Sequence, residues 1–302
     1  MQRINVQVPA TTANLGPGFD CLGMALDIWN HLQFQLGDAP GVQVEGQGAG
    51  HLSTGPDNLV YQAANRYFQE TGAVKPSFSI SCRNQIPLAR GMGSSSAAIV
   101  GGLLGASAMA GDAAADPELI WHLAVAMEGH PDNVTPALFG GCQIVVRDQE
   151  ALVRATVPLP GDLQAVLFVP DTRMPTVQAR DILPPQVSRE DAVYNMGRVA
   201  LLINALATGR VDDLRVATQD RLHQPARQAI FPAMRPLFDS AMGAGALGVF
   251  LSGAGSAVLA LTRGKEAEVG EAMADSAGQA GVQGEVKVAS LSAQGAHVTG
   301  TD

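Results

Sequence analysis

The sequence predicts an α+β protein. Three observations carry that expectation: short polar–apolar alternating segments interleave with longer segments of helical spacing, no block recurs at a fixed period, and no stretch is of low complexity. The 302 residues suggest about two domains, and 46% hydrophobic content is ample for buried cores.

In chain order, residues 3–8 (RINVQV) alternate as a half-buried strand does, and residues 41–45 do so more weakly. Residues 28–36 and 77–82 are further strands. A helix is expected over 58–70, with Leu59, Ala63, Tyr67 and Glu70 at helical intervals and Asp57 placed to cap it. The apolar run 97–110 falls short of the roughly 20 residues that span a bilayer, and reads as a buried core helix. Asp116 followed by Pro117 opens another helix, running to about Met127, because proline suits the first helical position. Residues 140–147 and 151–157 form a hairpin, and 163–169 a buried strand. A helical region spans 188–238, with Ser188 as its cap and a second helix starting near Asp212 after Gly209. Residues 248–251, a Gly-Ala-Gly turn, residues 257–261 and a helix from Gly264 close the pattern. The segment 158–162 (PLPGD) is placed to join two domains, 1–160 and 161–302.

Charge and cysteine usage narrow the setting. A net charge of −9 argues against nucleic-acid binding, which depends on neutralising phosphates with Lys and Arg. Cys21, Cys82 and Cys142 are odd in number and form no CxxC pair, which fits a reducing cytoplasm better than disulfides or a zinc site. The segment MQRINVQVPA has no basic run ahead of an apolar core, so no signal peptide and no membrane association are expected. The sequence leaves the oligomeric state open, a homodimer included.

The loop PLARGMGSSSAA (87–98) carries the first chemical signal. Small residues let a backbone approach a bulky anion closely, and the apolar helix that follows directs free N–H groups and its positive dipole end at the loop. Ser94, Ser95 and Ser96 add hydroxyl donors for phosphate oxygens and ligands for a hard metal ion. A flexible Gly-Ser turn has the same composition. The loop is not a Walker A motif, because the only lysines are Lys75, Lys265 and Lys287. Nor is it a dinucleotide fingerprint, which needs Gly where Ser96 stands.

The N-terminal segment 9–27 follows a strand with a polar, Gly- and Pro-rich loop. Thr11, Thr12 and Asn14 supply neutral hydrogen-bonding groups, and Asp20 a carboxylate for a small cation; an Asx-type turn with a solvated Asp20 is the other reading. In 127–144, Glu128 closes a helix and points to a site reached by His130, Asp132 and Asn133. Oxygen ligands of this kind suit Mg²⁺ carried with a nucleotide, and pair Glu128 with Ser95. A capped helix end with an Asp-Asn turn uses the same residues. Further on, Arg180 and Arg227 offer the planar, bidentate recognition of a carboxylate that Lys lacks; as lone arginines they also read as surface charge, and Arg221 competes with Arg227.

These segments together resemble the homoserine kinases of the GHMP kinase family. Pro87, Gly91, Met92, Gly93, Ser94 and Ser95 match the family's P-x-x-x-G-(L/M)-G-S-S-A motif. Residues 10–23 match the first homoserine kinase motif throughout, Glu128–Val134 match E-G-H-P-D-N-V, and FLSGAGSAVLAL (250–261) matches the third GHMP motif. Two positions depart from the pattern: Ala226 stands where Tyr is usual beside Arg227, and Ser256 where Pro is usual.

The resemblance implies a GHMP kinase fold, with an N-terminal domain like ribosomal protein S5 domain 2 packed on a ferredoxin-like C-terminal domain. It implies ATP and Mg²⁺ as cofactors and L-homoserine as substrate, phosphorylated on its side-chain hydroxyl in threonine biosynthesis. By the same resemblance, Pro87, Leu88, Ala89, Arg90, Gly91, Met92, Gly93, Ser94, Ser95, Ser96 and Ala97 hold the phosphates, and Asn58 meets the base or ribose. Ser95 and Glu128 hold the metal. Asn14 orients the hydroxyl, Asp20 takes the ammonium, Arg180 and Arg227 take the carboxylate, and His130, Asp132, Ser252 and Gly253 complete the substrate pocket. No protein base is expected, and the hydroxyl proton passes to the phosphate. Rival readings are a GHMP kinase for another alcohol, such as mevalonate or shikimate, and a non-catalytic ligand-binding relative. Asp20 separates the first, because mevalonate has no ammonium; Ser95 and Glu128 count against the second.

Overall fold

A computed structural model describes residues 3–37, 39–111, 116–149 and 151–301. Two antiparallel-rich sheets organise them. The first contains β1 (Arg3–Ala13), β2 (Leu22–Leu36), β3 (Gly41–Gly46), β4 (Phe78–Asn84), β5 (Cys142–Asp148), β6 (Ala151–Val157) and β11 (His297–Thr301). The second is β7 (Gln164–Pro170), β8 (Gly248–Leu251), β9 (Val258–Thr262) and β10 (Gly284–Ser290), in the order β10-β7-β9-β8.

The long strand β2 holds the first sheet together. β1 pairs with it from Arg3↔Gln35 to Ala13↔Gly23, slipping register at Pro9/Ala10, where proline cannot donate to the ladder. On its other edge β2 changes partner: Leu22–Met24 pair with β5 and His31–Leu36 with β4. Between those two partners the 85–93 loop leaves the end of β4. Four helices cover one face of this sheet: α1 (Leu59–Thr71), α2 (Ser94–Met109), α3 (Pro117–Glu128) and α4 (Pro131–Phe139). The apolar run at 97–110 forms most of α2 and ends on its C-cap, Ala110, as its composition predicts. The helix sits close enough to β2 that a Cβ on Gly105 would lie 2.2 Å from the Phe34 ring.

The second half adds α5 (Thr176–Asp181), α6 (Arg189–Thr208), a 3₁₀ turn at Val211–Asp213, α7 (Leu214–Ala217), α8 (Gln224–Gln228), α9 (Met234–Gly243) and α10 (Glu266–Gln279). Alternation along β7 explains its continuous apolar run. Ala165, Leu167 and Val169 join the core of the first sheet's helices, whereas Val166 and Phe168 join a second core with Leu237 and Ala241 of α9 and Val269 and Met273 of α10. A strand buried on both faces has no polar side to show.

Several sequence expectations are corrected. The cap of α1 is Asn58, whose side chain accepts from Val60 N, and not Asp57. The expected helix near Asp212 is a 3₁₀ turn and one helical turn, and the chain then leaves helical geometry until Gln224. There the Asp220 carboxylate takes the backbone N–H groups of Leu222, His223 and Gln224, which turns the chain. Residues 131–139 form α4, and β10 and β11 follow the last expected helix. β11 rejoins the first sheet beside β1, so the chain crosses back over the expected 160/161 division.

Candidate active site

Two adjoining cavities meet at the 85–93 loop. Asn30 fixes the loop's start, its Oδ1 accepting from Gln85 N and Ile86 N at 2.8 and 3.0 Å. Gly91 has φ +74°, and a Cβ there would lie 1.9 Å from the Ser252 carbonyl oxygen, so only glycine fits the turn. Gly93 caps α2 without any side-chain hydrogen bond, which leaves the first-turn N–H groups open to an anion. Arg90 holds the loop to the second sheet: it donates to Pro170 O at 2.7 Å, to Leu88 O at 2.6 Å and to Asp171 O.

Glu128 ends α3 against the start of α2. Ser95 Oγ donates to its Oε2 at 2.7 Å and Ser96 Oγ to its Oε1 at 3.0 Å. Among the described residues no group of three or more His, Cys, Asp and Glu side chains can hold a metal ion by itself. One carboxylate beside a hydroxyl fits a hard cation that brings its remaining oxygens with a nucleotide.

Beyond the loop lies a polar cavity of about 90 Å³. Asn14, buried and at φ +71°, reaches it with its amide fixed by Gly253 O at 2.9 Å and Asp20 N at 3.0 Å. Asn and Asp tolerate this left-handed geometry better than other L-residues, and Asp20 shares it at φ +58°. Arg180 grips Asp20 fork to fork, Nη1–Oδ2 at 2.9 Å and Nη2–Oδ1 at 2.6 Å. That hydrogen-bonded carboxylate raises the Arg180 pKa. Arg227 is almost wholly buried; burial and then the Arg180 charge lower its pKa to about 10. His130 Nδ1 lies 3.3 Å from Asp132 Oδ1, and the nearness of this carboxylate raises the His130 pKa. The contact is not aligned as a hydrogen bond. His130 Nδ1 and Arg180 Nε are thus buried nitrogens without a hydrogen-bond partner, both on residues that line this cavity.

The second cavity, about 400 Å³, is lined largely by apolar side chains: Leu32, Val44, Leu52, Leu59, Val60 and Leu88. Ala89, Ser94, Ser95 and Thr176 line both cavities, so the small polar space opens onto the larger apolar one across the serine-rich loop.

The sequence model of the GHMP kinases N terminal domain matches residues 58–141, and that of the GHMP kinases C terminal domain matches 202–280. A homoserine kinase of Moorella thermoacetica is 43% identical over 282 residues, covering 93% of this chain and 95% of that one. The chain belongs to the GHMP kinase family. A homoserine kinase of Synechocystis sp. is 40% identical over 304 residues, covering 99% of each chain. The crystal structure of homoserine kinase from Cytophaga hutchinsonii superposes with a TM-score of 0.88 at 30% identity, covering 98% of this chain and 97% of that one. An L. major mevalonate kinase, 14% identical with a TM-score of 0.69, shares the fold.

Most expected site residues of this GHMP kinase gather at the two cavities. Asn14, Ala89, Arg90, Gly91, Met92, Gly93, Ser94, Ser95, Glu128, His130, Asp132, Arg180, Arg227 and Gly253 line the polar one. Asn58 and Leu88 line the apolar one, although Asn58 spends its amide on Val60 N and Ser53 O. Ser252 does not line either: its buried hydroxyl donates to Gly91 O and accepts from the Thr12 hydroxyl, which ties the loops together. Pro87, Ser96 and Ala97 are buried and line neither cavity. Asp20 pairs with Arg180 but does not itself line the cavity. Arg221 is directed elsewhere, to Glu190 and Asp191 over the Tyr194 ring, so of the two arginines only Arg227 lines the polar cavity. The Phe19 ring centre lies 5.6 Å from the Arg227 guanidinium. Thr176 was not legible in the sequence, since nothing around it marks a site.

Proposed function

We propose that this GHMP kinase transfers the γ-phosphoryl group of ATP to the side-chain hydroxyl of L-homoserine, giving ADP and O-phospho-L-homoserine. One observation carries the reading: a small polar cavity holding both anionic and cationic side chains adjoins, at a glycine- and serine-rich loop before an uncapped helix start, an apolar cavity of nucleoside size. No helix among the described residues is long and apolar enough to cross a membrane. The reading places the step in amino-acid biosynthesis in the cytoplasm.

Phosphoryl transfer asks little covalent chemistry of the protein and much positioning. The apolar cavity takes the adenine and ribose, while backbone N–H groups of the loop and the start of α2 take the phosphates. Ser95 and Glu128 would hold Mg²⁺, exchanging their mutual hydrogen bond for the ion. Bound there, the ion neutralises charge on the phosphate oxygens. Asp20 receives the substrate ammonium, and Arg180 and Arg227 its carboxylate. Asn14 holds the hydroxyl in line, and His130 and Asp132 close the pocket. Each nearby carboxylate already has a partner: Asp20 has Arg180, Asp132 accepts from Asn133 N, and Glu128 has two serines. No free carboxylate remains to act as base, and on this reading the hydroxyl proton leaves with the transferred phosphoryl group.

A panel of small alcohols tests this reading. ADP release with L-homoserine, and not with mevalonate or shikimate, together with phosphohomoserine identified by mass, is the expected result. Turnover of mevalonate in preference to homoserine would overturn it, and so would binding of both ligands without product.

A further inference from the structure

His223 is fully buried, and none of the roles above uses it. It immediately precedes α8, with its ring stacked on Phe19 at 5.2 Å. Each ring nitrogen has one close polar partner. Nδ1 lies 2.8 Å from Arg227 Nη1, and Nε2 lies 2.7 Å from the Gly16 carbonyl oxygen. A guanidinium only donates and a carbonyl only accepts. Nδ1 must therefore present its lone pair, and Nε2 must carry the proton. The other neutral tautomer satisfies neither contact, and the imidazolium satisfies only the second.

The surroundings enforce that state. Asp220 Oδ2 is 3.6 Å from Nε2, and the Asp220 carboxylate is already engaged by three backbone N–H groups and Asn195 Nδ2. Burial opposes a charge on the ring, and the Arg227 cation opposes it further, against the opposing pull of Asp220 and Asp20. Arg227 also donates from Nε to Ala179 O at 3.1 Å and from Nη1 to Gly253 O at 3.0 Å. Every one of these partners is uncharged. A carboxylate in the place of His223 would fix the guanidinium equally well but would neutralise it. A neutral acceptor fixes it and leaves its charge for an anionic ligand.

We propose that His223 is a positioning residue: as the neutral, Nε2-protonated imidazole it aims Arg227 at the acceptor's carboxylate and links it to the Gly16 turn, between Asn14 and Asp20. The inference rests on the reading of Arg227 given under Proposed function.

Full-length wild type and three variants test it. His223→Phe keeps the stack on Phe19 and removes both nitrogens, whereas His223→Asn returns an amide oxygen near the Nδ1 position. The expected result is a homoserine KM raised about 10- to 100-fold in His223→Phe, with kcat and the ATP KM held, and most of that loss recovered in His223→Asn. Nitrogen-15 NMR of the wild-type ring should show a bare Nδ1 and a protonated Nε2 at neutral pH. An Nδ1-protonated ring overturns the proposal, as does a His223→Phe variant whose ATP KM rises with its homoserine KM, or an Asn variant no better than Phe. If His223→Phe does not fold, the NMR assignment and the Asn variant decide. Arg227→Met separates the two layers. An unchanged homoserine KM there would refute the role of Arg227 itself, whereas a raised KM with a silent His223→Phe would refute only the positioning.

Discussion

Replacing Asp20 with Asn separates two charges that the substrate-free site holds against each other. Arg180 and Asp20 are joined by two hydrogen bonds, at 2.9 and 2.6 Å. A zwitterion can exchange that pair for two new ones, its carboxylate at Arg180 and its ammonium at Asp20. A hydroxy acid without the amino group, such as 4-hydroxybutyrate, completes only the first exchange and strands the Asp20 carboxylate. The two side chains are 33% and 36% exposed, so the stranded charge keeps part of its hydration. The penalty then falls at the lower end of the range for interfacial pairs, about 2 kcal/mol or about 30-fold. Asp20→Asn should raise the homoserine KM by that factor and lower the 4-hydroxybutyrate KM by a similar one. Coupled ADP release with both alcohols, and product mass for each, measure the change. A variant that loses homoserine without gaining 4-hydroxybutyrate would refute the exchange argument; one with an unchanged homoserine KM would remove Asp20 from the ammonium.

Other substitutions probe separate parts of the site. Glu128→Gln should lower kcat by about 100-fold and raise the magnesium requirement while the homoserine KM holds, as read by initial rates across a magnesium titration. Arg221→Ala should leave the homoserine KM unchanged, because its guanidinium faces Glu190 and Asp191; a large rise would return it to the site. Stability should depend on acid through His223, whose folded pKa is lowered from 6.5 to about 4. The unfolded chain then binds more protons between those values, so stability is full above pH 6.5 and declines as pH falls towards 4, by at most about 1.4 kcal/mol per pH unit. Denaturant midpoints across that window should flatten in His223→Phe, and an unchanged slope would count against a neutral ring facing Arg227, Asp220 and Asp20.

What the sequence revealed follows from where the information lies. The loops at 10–23, 87–96 and 128–134 are continuous strings, and their chemistry is legible because neighbours in sequence remain neighbours in space. Helix boundaries were legible where a single capping residue stood alone, as at Asp116 and Ser188. At Asp57-Asn58 two good caps compete, and Ser53 decides between them by donating to Asp57 and leaving Asn58 for Val60 N. Residues 131–139 were not legible as a helix, since Pro136 lies inside so short an element. β11 was hidden because its partner lies at the other end of the sequence. Arg180 and Asp20 were each visible as charges, but their mutual contact, 160 residues apart, is a product of the tertiary fold. The same holds for His223, an unremarked letter in DRLHQPAR until Gly16 and Arg227 stand beside it.

The return of β11 to β1 also sets an order of events on the ribosome. Ile4 to Gln7 wait for His297 to Thr301, so throughout elongation β1 presents a bare edge on one side. Helices α1 to α4 and the phosphate loop are made long before that edge is covered. A nascent chain that has already made α1 to α4 and the 85–93 loop therefore still lacks an outer strand of the sheet they cover, and that uncovered edge is where mispairing with another chain would begin.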